Sequence, residues 1–262
     1  MRHFLTHVAW AALLLTACHT HHDSGLTWKR AIADRQQALS SEHESPQCNV
    51  HIDICYADTA NNREAATEIN TAIAWQLLDI EGADLQQAAD SFANRYADDY
   101  RRNLLPLYRE DQSDSEKRPW YEYRYVIDTS TEAGRDGVEV YRANVDYYEG
   151  GAHGINQLLT MNFDTQTGRL LQLRDVFVPG YEQQLNELLL DELLRQTDSK
   201  DKDELKKKGY LYSMNMFAPE NFILGADAVT FVYNTYEIAP YSVGRTELTL
   251  DYDKLEKILK QQ

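Results

Sequence analysis

The stretch Tyr147-Tyr148-Glu149-Gly150-Gly151-Ala152-His153-Gly154 separates two segments with the pattern of β-strands. Residues 138–148 alternate between two faces, and residues 155–163 are rich in Leu, Met and Phe. Three glycines within five residues supply the positive φ angles and close backbone approach that a bulged turn needs. The sequence therefore predicts a β-hairpin that carries His153 at its tip.

A histidine at such a tip can ligate a metal ion, act as a base or form a structural hydrogen bond. No cysteine or second histidine lies near His153 at ligand spacing, which favours the structural role. A hydrolase that uses His153 with Glu149 or Glu237 stays open as an alternative. Against it, the chain has neither a Gly-x-Ser-x-Gly nor a His-Glu-x-x-His motif. The sequence predicts no cofactor and no metal site.

Composition limits the partners of this chain of 262 residues, of which 43% are hydrophobic, as in folded globular proteins. Its 42 acidic and 26 basic residues give a net charge of -16, which disfavours binding to nucleic acid or to anionic lipid head groups. The long-range field would attract a cationic partner, although the charge can also serve solubility alone. The 17 tyrosines suit half-exposed strands and contact surfaces.

The N-terminus has the features of a targeting segment, with Arg2 near its start and an apolar run over residues 8–15. Leu15-Thr16-Ala17-Cys18 resembles a bacterial lipobox. The resemblance implies that residues 1–17 are a signal peptide and that Cys18 is acylated and anchored in a membrane. Because His19 follows the cysteine, outer-membrane sorting is expected in a Gram-negative host. An ordinary signal peptide cut elsewhere is the alternative.

Beyond Cys18, residues 18–45 are expected to form a flexible tether, in which residues 28–39 have weak helical spacing and form a short helix or part of the tether. Residues 48–56 alternate as the first strand, and residues 61–80 and 83–104 have helical periodicity, with Pro106 ending the pair. Cys48 and Cys55 would lie about 23 Å apart on a regular strand. A disulfide needs Cα atoms about 5.5 Å apart. We therefore expect two unpaired thiols.

Several short motifs together resemble the RsiV-like extracytoplasmic domains, a family shared by a lysozyme-sensing anti-sigma factor and the non-catalytic part of a peptidoglycan deacetylase. The motifs are Gly150-Gly151-Ala152-His153, Asn162-Phe163-Asp164 with Gly168, Leu173 with Asp175 and Phe177, Phe231 with Tyr233, and Tyr236-Glu237-Ile238-Ala239-Pro240-Tyr241. The likeness covers about residues 46–255. No sigma-factor-binding segment with a transmembrane helix and no deacetylase metal motif is recognised, so neither activity is expected.

The resemblance implies an α+β fold with antiparallel sheets, helices packed on one face, and two closely packed subdomains at residues 46–165 and 166–262. It also implies that His153 is braced by a hydrogen bond to the loop at residues 236–241. The expected function is a non-catalytic envelope protein that binds a ligand, such as lysozyme or a cell-wall fragment, as sensor, decoy or inhibitor. A structural envelope-assembly module is the alternative. The candidate binding or motif residues are Glu149, Gly150, Gly151, His153, Tyr236, Glu237, Pro240 and Tyr241.

Overall fold

The computed structural model describes residues 25–260, so the predicted signal peptide and Cys18 lie outside the described residues. Six strands form the larger sheet, and each one neighbours the next along the chain. They are β1 (Trp28–Ala38), β2 (Gln47–Ala57), β3 (Tyr123–Ala133), β4 (Val138–Glu149), β5 (Ile155–Asp164) and β6 (Leu170–Leu171). All neighbours pair antiparallel except β2 and β3, which are parallel. A parallel pair needs a crossover connection, and two helices supply it here.

Helices α1 (Arg63–Leu78) and α2 (Leu85–Asp111) make this crossover and cover one face of the sheet. Asn62 and Asp84 cap their first turns, since each side chain accepts a backbone N–H three residues further on. The apolar side of α1, including Ile69 and Ile73, is buried in the same core as Ile52 of β2. The prediction of an α+β fold with helices packed on one face is confirmed.

The prediction that Pro106 ends the second helix is wrong, because α2 continues to Asp111 with the proline inside it. Proline removes one backbone hydrogen bond, but residues 101–103 and 106–107 are exposed, so water can satisfy the carbonyl that is left free. Contacts beyond the proline hold the last turns in place. The ring of Tyr108 packs 5.3 Å from that of Tyr121, whose hydroxyl donates to Asp111 over 2.8 Å.

The predicted tether is also wrong over residues 28–38, which form β1 and pair with β2 along its full length. The buried apolar side chains of β1, Ala31 and Ala33, are small, which explains the weak hydrophobic signal. Cys48 and Cys55 lie on opposite faces of β2, and both are buried free thiols as predicted. Burial raises the pKa of the Cys48 thiol to about 12.

The second sheet consists of β7 (Phe222–Leu224), β8 (Ala228–Tyr233) and β9 (Thr246–Asp251), all antiparallel. It shares a hydrophobic core with α4 (Glu182–Gln196), the longest of four nearby helices. The other three are α3 (Leu173–Val176), α5 (Lys202–Lys207) and α6 (Tyr252–Leu255). Two sheets with separate cores agree with the prediction of two packed subdomains, but the larger sheet includes β1 and β6, which lie outside the predicted bounds of 46–165. None of the helices within residues 25–260 combines the length and apolar composition needed to span a membrane.

Three asparagine side chains connect the two sheets, and we call Asn162, Asn221 and Asn234 the amide bridge. The buried Asn162 side chain donates to the carbonyl of Phe222 over 2.7 Å and accepts the N–H of Leu224 over 2.8 Å. Asn234 and Asn221 accept the backbone N–H groups of Leu158 and Thr160 on β5 in the same way, each over 2.8 Å. The amides thus take the place of a further strand along β5.

An amide also caps the other edge of the larger sheet. The Gln86 side chain on α2 accepts the N–H of Ile32 over 3.3 Å and donates to its carbonyl over 2.9 Å. The backbone of β1 is therefore satisfied at this point without a neighbouring strand.

Candidate functional site

The glycine turn has the geometry that its sequence predicts. Gly150 and Gly151 have φ angles of 80° and 90°, whereas Gly154 does not lie in the positive region. A Cβ atom on Gly150 would lie 2.4 Å from the carbonyl oxygen of Trp120, so the turn packs against a neighbouring segment. These glycines shape the hairpin and place His153 at its tip.

His153 meets the loop at residues 236–241, as the sequence predicts, but through a different contact. Its exposed ring stacks on Tyr241 with centroids 4.5 Å apart and planes 12° apart. Within residues 25–260 no hydrogen bond to the imidazole is found. The expected buried hydrogen bond is therefore wrong, and an open aromatic stack takes its place because both side chains lie at the surface.

The two carboxylates considered as partners of His153 are engaged elsewhere. Glu149, at the end of β4, accepts the hydroxyl of Tyr96 from α2 over 2.6 Å. Glu237 accepts the backbone N–H of Asn234 over 2.9 Å and so closes its own loop. Partial desolvation raises the pKa of Glu237 despite this hydrogen bond. Neither carboxylate orients the imidazole, which a catalytic acid–base pair requires.

The loop at residues 234–244 forms one wall of an open groove, and the loop at residues 209–216 forms the other. The N–H of Leu211 donates to the carbonyl of Ile238 over 2.8 Å, which ties the two loops together. The groove has a volume of about 370 Å³. It is lined by Gly209, Tyr212, Ser213, Met214, Tyr236, Glu237, Ile238, Ala239 and Pro240. We call these residues, with Tyr241 and His153 beside them, the aromatic groove.

Large apolar side chains stand unusually exposed here. Tyr212 is 81% exposed, Tyr236 60%, Met214 43% and Tyr241 39%, and these are half of the eight exposed large hydrophobic residues within residues 25–260. The Tyr236 and Tyr241 rings lie 5.9 Å apart, so His153, Tyr241 and Tyr236 form a continuous row. Concentrated exposed apolar side chains of this kind are typical of a binding surface.

Tyr236 also has a strained backbone, with a φ angle of 75° that a tyrosine rarely adopts. Its N–H donates to the carbonyl of Ala239 over 3.1 Å, and the N–H of Glu237 donates to Asn234, which together hold this conformation. Strain of this kind costs about 1–3 kcal/mol and is concentrated at functional sites. The loop thus holds the exposed Tyr236 with a strained backbone.

Sequence reasoning identified Tyr236, Pro240 and Tyr241 but missed Tyr212 and Met214. Both belong to a segment, residues 209–216, that follows the charged run at residues 198–208 and contains two tyrosines and two methionines. That local excess of aromatic residues and methionine was the available signal. Its meaning depends on the contact with the loop at residues 234–244, which the sequence does not show.

Other residues of the shared motifs have structural roles. Asp164 accepts the N–H groups of Thr167 and Gln166, over 2.8 and 3.1 Å, and so closes the β5–β6 turn. Partial burial acts to raise the pKa of Asp164, but these hydrogen bonds outweigh burial and hold the pKa below its ordinary value. Asp175 accepts the N–H of Gln172 at the start of α3 in the same manner. These motif residues stabilise turns and lie outside the groove lining.

Residues 174–253 match the family described as "Protein of unknown function (DUF3298)", and this range contains both groove loops. No curated protein matches the chain.

Two crystal structures share the fold. A member of the DUF3298 family from Bacteroides fragilis is 28% identical with a TM-score of 0.83, and the alignment covers 90% of this chain and 94% of that one. A DUF3298 family protein from Pseudomonas aeruginosa is 21% identical with a TM-score of 0.61 and the same coverage, which supports the fold alone. The chain therefore contains a match to the DUF3298 domain at residues 174–253 and has the fold of DUF3298 family members over 90% of its length.

Proposed function

We propose that this chain is a lipid-anchored protein of the bacterial envelope that binds a cationic protein, with lysozyme as the specific case, through the aromatic groove. The observation that carries the proposal is the row of exposed rings formed by His153, Tyr241 and Tyr236 beside Tyr212 and Met214. The resemblance to RsiV-like domains supports lysozyme as the ligand. Binding would serve a sensor, decoy or inhibitor.

The side chains of the groove suit a protein partner. Tyrosine and methionine are enriched at the centre of protein interfaces, where buried aromatic rings contribute most of the binding energy. Met214 is unbranched and can adapt to an irregular surface. Among the described residues that line the groove, Glu237 alone is charged, so the contact surface is apolar with one acidic group. Such a surface buries area without leaving several charges unpaired.

The charge of the whole chain complements a cationic partner. Its 42 acidic and 26 basic residues leave a net charge of -16. A field of this sign accelerates the approach of a positively charged protein and adds more to the association rate than to affinity. The field would attract the partner, and the groove would provide the specific contact.

Replacing Tyr236 or Tyr241 with alanine tests the proposal. We expect each change to weaken lysozyme binding by the full chain about tenfold, because a central interface tyrosine contributes more than about 1 kcal/mol. Isothermal titration calorimetry gives the affinity. Trp75→Ala is the matched control, since Trp75 is 52% exposed but lies on α1, and its affinity should equal that of the wild type.

Two outcomes would overturn lysozyme as the ligand. Tyrosine-dependent binding of soluble peptidoglycan fragments without lysozyme binding would identify the groove as a cell-wall site. Binding of neither ligand would favour the structural envelope-assembly module instead. A hydrolase is less consistent with the groove, since neither Glu149 nor Glu237 orients His153 within the described residues.

The proposed anchor makes a separate prediction. Cys18→Ala should abolish incorporation of radiolabelled palmitate and leave an unprocessed precursor, because the lipobox cysteine is the acylated residue. Cys55→Ala is the control, since Cys55 is buried in β2 and should leave labelling intact. Undiminished labelling of the Cys18 variant would exclude the lipoprotein assignment.

A further inference from the structure

The face of the larger sheet opposite α1 and α2 brings together metal-binding side chains from two adjacent strands. His51 and Asp53 lie two residues apart on β2 and therefore share a face. Asp128 on β3 is the register partner of Asp53 in the parallel pair. One ligand atom from each of the three side chains lies within 4.8 Å of the other two. Three donors thus converge on one point of a rigid sheet.

A fourth residue fixes the orientation of the imidazole. Asp34 on β1, the register partner of His51, lies with its Oδ1 atom 2.7 Å from His51 Nδ1. This contact occupies Nδ1 and leaves Nε2 as the ring nitrogen that can bind a metal ion. A carboxylate behind a histidine is the usual arrangement at metal sites, where it sets the tautomer and makes the ligand more basic.

The charge balance of this cluster leaves room for a cation. Within residues 25–260, Asp53 has one ion pair, from the guanidinium of Arg30 to its Oδ1 atom, and no ion pair of Asp128 is found. The neighbouring arginines on β3 and β4 are paired elsewhere, Arg124 with Asp146 and Arg142 with Glu132. A divalent ion would offset the excess of negative charge.

We propose that His51, Asp53 and Asp128 bind a divalent first-row transition ion of the Zn²⁺ type, with Asp34 as the positioning residue. An imidazole nitrogen with two carboxylate oxygens suits such ions, whereas Mg²⁺ and Ca²⁺ prefer oxygen ligands alone. Three protein ligands leave a fourth tetrahedral position open towards solvent. The ion could therefore accept an external donor at this face. The inference does not depend on the aromatic groove.

Zn²⁺ titration of the full chain, prepared without a polyhistidine tag, tests this site by calorimetry. His51→Ala and Asp128→Asn should each remove one bound Zn²⁺, and Asp34→Asn should weaken that site about tenfold. His153→Ala and His43→Ala are the controls and should retain it. His19, His21 and His22 can add background binding, but they are present in every variant and cancel in the comparison. Circular dichroism confirms that each variant is folded.

Equal stoichiometry and affinity for Zn²⁺ in the wild type and in His51→Ala would overturn the proposal. So would Ca²⁺ binding as tight as Zn²⁺ binding and insensitive to His51→Ala, because this would reflect only the attraction of carboxylates for any cation.

Discussion

Replacing Gly168 with alanine is expected to lower the free energy of unfolding by about 3 kcal/mol or more. Gly168 has a φ angle of 75°, and an added Cβ would lie 2.1 Å from the carbonyl oxygen of Ala65. That oxygen belongs to the first turn of α1, so the obstacle is helix backbone and cannot rotate away. Asn62, which caps the helix, also donates to the carbonyl of Gln166 over 2.9 Å and holds the turn against it. Both the backbone strain and the clash oppose the substitution.

Gly180→Ala separates these two effects. Gly180 has a φ angle of 85°, but no atom lies within 4 Å of the position that its Cβ would take. This control should lose only about 1 kcal/mol, the usual cost of alanine in the left-handed region. Urea denaturation gives both values. An equal decrease in the free energy of unfolding for the two variants would show that close contact between the turn and α1 does not contribute to the effect.

Asn162→Ala is expected to lower the free energy of unfolding by about 3 kcal/mol, since it leaves the buried N–H of Leu224 without its partner. The carbonyl of Phe222 keeps a second hydrogen bond, from the Thr160 hydroxyl over 2.9 Å. Losing its bond from Asn162 therefore costs less free energy than leaving the N–H of Leu224 unpaired. Asn156→Ala is the control, because Asn156 lies exposed on the same strand. We expect it to change stability by less than about 0.5 kcal/mol. An unchanged urea midpoint for Asn162→Ala would mean that the amide bridge does not hold the sheets together.

The elements predicted correctly from the sequence are those with a strong local pattern. α1 has apolar residues at helical spacing, β2 alternates along its length, and the glycines at 150 and 151 specify the hairpin. β1 was missed because alanines supply its core face, and its identity depends on pairing with β2. Helix α2 passes Pro106 because of the distant contact between Tyr108 and Tyr121. Local propensity cannot register either contact.

The candidate sites, too, were predictable where a local motif was present and unpredictable where they depend on contacts between distant segments. The shared motifs indicated that His153 meets the loop at residues 236–241, and the stack on Tyr241 agrees with that expectation in position. The contribution of residues 209–216 to the groove arises only when two loops of the second subdomain pack together. The cluster of His51 and Asp128 was not expected at all. Its residues lie on strands separated in sequence by α1 and α2, and only the parallel register brings them together.

The Gln86 amide on Ile32 has a consequence for how copies of this chain meet one another. An uncapped edge strand offers free N–H and C=O groups that can recruit a strand from another molecule and start aggregation. Gln86 occupies these groups at Ile32 on β1, and the amide bridge occupies their equivalents on β5. At these positions a strand from another copy would find the backbone groups already occupied by amides of the same chain. At a net charge of -16, electrostatic repulsion between copies also opposes such pairing.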